Sequence, residues 1–147
     1  MVKFFSFLGT TEYIPCTYYM EAQEKEPRIE ISDCRYVQEA LIKILIQKGV
    51  SFDEIVVFIT EDSYAVNWID NVYKRDGISR PGLHRILENI FSGCSVKIKN
   101  KNVPAGDSQE DLWKLFESMI DEIGQGDHII LDITLSVRFL PLLAFLV

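Results

Sequence analysis

Residues 52–60 read FDEIVVFIT and carry the clearest fold signal in this sequence. Their continuous apolar centre is typical of a strand that is covered on both faces in a parallel sheet. Residues 127–133, DHIILDI, have the same character near the other end of the chain. Because helical patterns separate the two segments, the sequence predicts an α/β fold with a mostly parallel sheet.

Shorter strand and helix patterns fill the rest of the chain. The other predicted strands are rich in β-branched or aromatic residues or alternate in polarity, and they cover residues 2–8, 17–20, 28–31 and 95–103. The segments 17–20 and 28–31 predict a small hairpin around the charged tip EAQEKEP. Helices are predicted from Ser32 or Asp33 to Gly49, over residues 64–73, over residues 81–91 with Pro81 in the first turn, from Asp107 or Ser108 to residue 123, and after residue 136.

Composition limits the function classes. The 147 residues carry a net charge of −7, so a protein that coats extended RNA or DNA is not expected. The longest apolar run, residues 139–147, is shorter than the roughly 20 residues of a membrane-spanning helix. Cys16, Cys34 and Cys94 lack the spacing of a metal site, which predicts three reduced, buried thiols in a cytoplasmic protein.

Two polar segments follow predicted strands, where ligands bind in open α/β sheets. The first is Gly9, Thr10 and Thr11; it is either a ligand loop or an ordinary turn. The sequence has neither GxGxxG nor GxxxxGK[ST], which speaks against dinucleotide and triphosphate sites.

The second segment follows the last predicted strand. Thr134 and Ser136 offer hydroxyls and backbone amides at a predicted helix N-terminus, which favours phosphate oxygens, although simple capping is the alternative. Arg138 can add a forked cationic donor. Asp132 either takes part in acid–base chemistry or accepts hydrogen bonds from loop amides and fixes the shape of the pocket.

The remaining candidates each have a structural alternative. Trp68, beside Asn67, either stacks on a base or packs between helix and sheet. Trp113 is predicted to lie in the core, His84 on the surface and His128 in a structural position. The lysines of the exposed strand predict a solvated sheet edge: Lys97, Lys99 and Lys101.

Several motifs together resemble the CRISPR-associated Rossmann-fold (CARF) sensor family. The supporting motifs, in chain order, are FLGT at residues 7–10, TYY at 17–19, RYVQEAL at 35–41, Asn67-Trp68, and Pro104 and Gly106 ahead of Leu112-Trp113. The specific motif is the closing one, which runs from Gly126-Asp127 through LDITLSVRFLPL at residues 131–142. The resemblance covers essentially the whole chain.

The resemblance implies a Rossmann-like three-layer sandwich that dimerises and binds a cyclic oligoadenylate, a tetramer or else a hexamer, across the two-fold axis. The resemblance also implies a linked effector, often a nuclease. We expect no cofactor, no metal and no membrane partner. The implied ligand-binding residues are Gly9, Thr10, Thr11, Asp132, Thr134, Leu135, Ser136 and Arg138, with Asn67 and Trp68 as candidate adenine contacts.

Three functions stay open. The first is a regulatory sensor; the second is a ring nuclease in which the ribose 2′-hydroxyl attacks in line, with Thr10, Thr11, Ser136 and Arg138 positioning the ring. Leu135 stands where the resembled family has histidine, which argues against cleavage. The third is a nucleotide-handling enzyme with acid–base carboxylates, but no second carboxylate pairs with Asp132 in the sequence.

The apolar end of the chain adds one expectation. Residues 142–147 read LLAFLV without a helix-terminating glycine. We expect residues 1–147 to form a single domain, the N-terminal part of a longer effector protein, whose apolar end is buried by later sequence and by a dimer partner.

Overall fold

A computed structural model describes residues 1–134. The elements follow one another as β1 (Val2–Phe7), β2 (Cys16–Met20), β3 (Ile29–Cys34), α1 (Val37–Gln47), β4 (Glu54–Ile59), α2 (Glu61–Ser63), a π-helical turn (Tyr64–Trp68), β5 (Asn71–Val72), β6 (Ser79–Arg80), α3 (Leu83–Ile90), β7 (Lys97–Asn102), α4 (Gln109–Ile120) and β8 (His128–Leu131).

The central sheet contains β1, β4, β7 and β8, all parallel, in the order β7-β4-β1-β8. The chain moves from β1 through β4 to β7 in one direction and then crosses back, so that β8 pairs with the free side of β1. This is the strand order of a Rossmann-like half-sheet, with its change of direction between β1 and β8. The predicted α/β fold is therefore confirmed.

Alternation along the strands divides the core into two layers. One face of the sheet, with Phe4, Ile55 and Val57, packs against the helices α1 and α3. The other face, with Phe5 and the β4 residues Val56 and Phe58, packs against α4. Both faces of β4 are buried, which explains its continuous apolar run.

The predicted hairpin is confirmed: β2 and β3 pair antiparallel. The predicted helix start at Ser32 or Asp33 is wrong, because both residues belong to β3. The register shifts between Cys16 and Tyr18, and Asp33 adopts a φ of 57°, as in a β-bulge. The helix α1 starts only at Val37, and its N-cap residue makes no side-chain cap.

The segment after β4 also differs from its prediction. Instead of one helix over residues 64–73, α2 leads into the π-helical turn, and β5 follows and pairs with β6. A π-turn gives up regular hydrogen bonding, and here it accompanies the burial of Asn67 and Trp68. Pro81 precedes α3, whose N-cap is Gly82. A side chain at Gly82 would collide with the carbonyl oxygen of Trp68, so the close approach of the backbone needs glycine.

Three burial predictions are wrong. Cys16 and Cys94 are exposed, and only Cys34 is buried. Trp113 is 51% exposed, although Leu115 and Met119 of the same helix are buried. The apolar arc of α4 is therefore wider than the part of the helix that the sheet covers.

An ion pair closes the amino-terminal edge of the sheet. Lys3 Nζ lies 2.6 Å from Asp127 Oδ2, and the backbone N–H of Gly124 donates to the same oxygen at 2.7 Å. Lys3 and this amide lower the pKa of Asp127 to about 2. The pair joins the start of β1 to the turn before β8. Along residues 1–134, none of the helices has the length and apolar character needed to cross a bilayer.

Candidate functional site

The candidate site lies beyond the carboxyl ends of β1 and β8, where the chain changes direction across the sheet. Ligands of open α/β sheets bind in this crevice. Because β1 and β8 are parallel neighbours, the two segments selected from the sequence lie at the same edge: residues 9–11 after β1 and Asp132 and Thr134 after β8. Leu135, Ser136 and Arg138 lie outside the described residues.

Asp132 connects the two strands. Its Oδ2 accepts a hydrogen bond from Ser6 Oγ at 2.7 Å, and its backbone N–H donates to the carbonyl oxygen of Phe5. Its Oδ1 accepts from the backbone N–H of Thr134 at 3.0 Å and from Thr134 Oγ1 at 2.6 Å. The buried carboxylate thus fixes the shape of the loop, and both donors of Thr134 are already engaged.

Asn67 holds the loop that follows β1. Its Nδ2 donates to the carbonyl oxygens of Gly9 and Thr11, each at 2.9 Å. Asn67 is fully buried, and it comes from the π-helical turn, more than 50 residues further along the chain. One side-chain amide therefore clamps both ends of a three-residue loop and leaves the middle residue, Thr10, exposed.

Two buried tyrosines orient the Asn67 amide. Tyr73 Oη donates to Asn67 Oδ1 at 2.7 Å, and Tyr36 Oη lies 3.2 Å from the same oxygen and 3.1 Å from the Asn67 carbonyl oxygen. Burial and the contact with Tyr73 raise the pKa of Tyr36 well above its usual range. Two hydroxyl donors at Oδ1 require the amide nitrogen to face the loop, so the orientation of the clamp is determined by chemistry.

Arg35 supports these tyrosines from the side. Its guanidinium lies 4.6 Å from the ring centre of Tyr36 and 5.0 Å from that of Tyr73, and Nη2 donates to the carbonyl oxygen of Pro81. Arg35 is 8% exposed. A buried cation stacked on two rings adds rigidity behind the clamp.

Gly9 and Thr10 have different roles in the loop. A methyl group at Gly9 would lie 2.0 Å from Tyr13 Oη, so this position needs glycine for close packing. Thr10 is exposed, and its Oγ1 makes no hydrogen bond with any of residues 1–134. Within the described part of the chain, Thr10 therefore offers a hydroxyl that is not already bonded.

Asn67 and Trp68 are both buried, at 0% and 3% exposure. The Trp68 ring stacks on the ring of His84 with centroids 5.1 Å apart. This burial favours the packing interpretation of both residues over a direct contact with a base. His128 begins β8 at the opposite edge of the sheet.

Two of the three lysines of β7 lie in ion pairs, and Lys97 is exposed. Lys99 Nζ pairs with Glu54 at 2.8 Å and with Glu122, and Lys101 Nζ lies 3.2 Å from Glu122. The edge position predicted for this strand is confirmed within the described sheet, but Lys99 and Lys101 contact glutamates and are not fully solvated. Residues 1–134 contain no group of three His, Cys, Asp or Glu side chains placed to hold a metal ion.

Sequence patterns did not identify Ser6, Tyr36 or Tyr73 as parts of the site. Ser6 is the one weak signal, because it is a polar residue within the apolar strand VKFFSF. The tyrosines look like ordinary core aromatics, and only the folded chain brings their hydroxyls to Asn67.

Comparison with known proteins finds a similarity to a CRISPR-associated protein. Eighty-seven residues are 33% identical to the CRISPR-associated protein MJ1674 of Methanocaldococcus jannaschii. The match covers 57% of this chain and 13% of that protein. No family model matches the sequence. More than half of the chain is thus similar to a CRISPR-associated protein.

Proposed function

We propose that this chain is a CRISPR-associated sensor domain. It binds a cyclic oligoadenylate across the interface of a homodimer and regulates a linked effector in antiviral defence. The observation that carries the proposal is the convergence of the two polar segments, residues 9–11 and 132–134, at the change of direction of a Rossmann-like sheet. Similarity to a CRISPR-associated protein supports the biological setting.

The loop geometry suits a ligand that carries phosphates. Thr10 offers a hydroxyl that none of residues 1–134 engages, and Asn67 already bonds the carbonyl oxygens of Gly9 and Thr11 on either side. Because the chain has a net charge of −7, an anionic ring needs donors that are already aimed at it. Two-fold symmetry would double each donor, and Ser136 and Arg138 are proposed to add to them.

Binding is favoured over cleavage of the ring. The Asp132 carboxylate is engaged by Ser6 and Thr134 and is not free to act as a base. The two histidines of the chain are His84, which stacks on Trp68, and His128, which lies at the opposite edge of the sheet. The ring-nuclease alternative would depend on positioning by Thr10, Thr11, Ser136 and Arg138 alone.

Titration calorimetry against cyclic tri-, tetra- and hexaadenylate tests the proposal, with each ligand recovered and analysed. We expect one ring, the tetramer or the hexamer, to bind with one ligand per two chains and to be recovered intact. Recovery of a linear product would replace the sensor with the ring nuclease. If no ring bound, the sensor proposal would be rejected.

A matched pair of variants locates the binding site. Thr10→Val removes the free hydroxyl at constant size, and a hydrogen bond to a charged phosphate is worth about 1.5–3 kcal/mol. Thr17→Val makes the same change on the exposed hairpin strand β2. We expect only Thr10→Val to weaken binding; equal affinities for the two variants would exclude Thr10 from the site.

A further inference from the structure

Two of the three cysteines stand opposite each other at the base of the β2–β3 hairpin. Cys16 is the first residue of β2, Cys34 is the last residue of β3, and the two are direct partners in the antiparallel register. Both thiols are free. Opposite residues of an antiparallel pair have Cα atoms about 4.5–5.5 Å apart and side chains on one face. This spacing lies within the range that a disulfide bridges, about 4.4–6.8 Å between Cα atoms.

The bulge separates the two cysteines from the rest of the hairpin. The register shifts between Cys16 and Tyr18, and Asp33, with its φ of 57°, comes directly before Cys34. The next regular partners are Tyr18 and Ile31. Because a bulge disrupts the ladder locally, the two side chains at this end of the hairpin can rotate toward each other without disturbing the regular pairs.

The two thiols differ in their access to solvent. Cys16 is exposed, whereas Cys34 is fully buried and packs against α1 with Ala40 and Ile44. Burial and the neighbouring carboxylate of Glu39 raise the pKa of the Cys34 thiol to about 11, so this thiol is protonated at neutral pH. A reagent in solution therefore meets Cys16 first, and Cys34 can react only through its strand partner.

We propose that Cys16 and Cys34 form a reversible disulfide, a redox latch that closes the base of the β2–β3 hairpin. The oxidant is a small disulfide such as oxidised glutathione. Cys16 loses its proton to solvent and attacks one sulfur of the oxidant, which forms a mixed disulfide and releases one glutathione thiolate. Cys34 then loses its proton and attacks the Cys16 sulfur, and the second glutathione thiolate leaves. The two thiolates take up the two protons, so two protein thiols are oxidised and one oxidised glutathione is reduced.

The latch adjoins the candidate site on two sides. The loop of residues 9–11 continues through residues 12–15 to Cys16. Cys34 is followed directly by Arg35 and Tyr36, which support the Asn67 clamp. A covalent link between the two strands prevents the hairpin base from opening. Oxidation therefore stiffens the support of the loop and reduction releases it, whichever ligand the loop binds.

Reaction of the reduced protein with oxidised glutathione, followed by mass spectrometry and peptide mapping without reductant, tests the latch. Cys94 is the matched control for Cys16, because it is also exposed but lies outside the hairpin. We expect Cys94→Ser to release two glutathione molecules per chain and to gain a Cys16–Cys34 disulfide that dithiothreitol reverses. Cys16→Ser should carry one glutathione on Cys94 and keep Cys34 as a free thiol. Prior alkylation of Cys16 should block the reaction, since it leaves no disulfide for Cys34 to attack.

Hydrogen exchange gives a second readout of the latch. In oxidised Cys94→Ser, the amides of residues 17–20 and 29–34 should exchange at least about tenfold more slowly than in the reduced form. Stable glutathione on Cys16, or a disulfide of Cys16 with any thiol other than Cys34 of the same chain, would overturn the proposed disulfide. An internal disulfide that leaves exchange in the hairpin unchanged would overturn its action as a latch.

Discussion

Replacing Asn67 with aspartate inverts the clamp of the Gly9–Thr11 loop with almost no change in shape. The new oxygen faces two carbonyl oxygens that now accept hydrogen bonds at 2.9 Å from Nδ2. The bonds from Tyr36 and Tyr73 to Oδ1 can persist. Loss of two hydrogen bonds at about 0.5–1.5 kcal/mol each lowers the free energy of unfolding by about 1–3 kcal/mol.

The loss should grow with pH. The site is fully buried and faces carbonyl oxygens, so folding raises the pKa of the introduced carboxyl above its unfolded value, roughly 3.9. When the pKa of a group is higher in the folded state, the free energy of unfolding falls as pH rises from the unfolded-state pKa to the folded-state pKa. The variant should therefore be closest to the parent protein at acidic pH.

Urea unfolding across pH measures this effect, and hydrogen exchange of the amides of residues 9–11 reports on the loop itself. Asn71→Asp is the matched control, because Asn71 Nδ2 makes only a long 3.4 Å contact with the Val66 carbonyl oxygen. Asn67→Asp should lower stability and speed loop exchange, and the control should do neither. Parental stability and exchange in Asn67→Asp would refute the clamp.

The remaining predictions concern stability and thiol reactivity. The pKa of Asp127 is lowered to about 2, so its contribution to the free energy of unfolding is complete above about pH 4 and is lost as pH falls toward 2. Asp127→Asn should therefore flatten the dependence of stability on pH in that range. An unchanged dependence would show that the ion pair with Lys3 does not stabilise the fold. Burial raises the pKa of the Cys34 thiol to about 11, whereas Cys16 and Cys94 are exposed. A thiol reagent at neutral pH should therefore modify two thiols quickly and the third only on unfolding; three equally fast reactions would contradict the fold around α1.

The parallel sheet was predictable because its strands are buried on both faces, so residues 54–59 had to be apolar without interruption. The site segments were predictable for a related reason, since polar residues after such strands share one edge of the sheet. The bulge at Asp33 was not predictable from the sequence, because serine and aspartate at residues 32 and 33 also suit a helix cap. A choice between cap and bulge depends on the pairing partner, which local sequence does not contain.

The clamp is a clearer case of tertiary information. Asn67 was selected from the sequence for contact with a base, yet the structure turns its amide toward a loop more than 50 residues earlier in the chain. The π-helical turn that presents it breaks the helical periodicity expected for residues 64–73. Such a turn is stabilised by bonds that form only after the strands are assembled, so propensity alone predicts a regular helix.

Chemical-shift mapping with cyclic tetraadenylate and cyclic hexaadenylate, against linear tetraadenylate as control, shows whether the two segments bind one ring. We expect one cyclic ligand to shift the amide signals of residues 9–11 and 132–134 together and the linear control to shift them weakly. Shifts confined to the opposite edge of the sheet, around Phe52 and Cys94, or no shifts with either ring, would contradict this expectation.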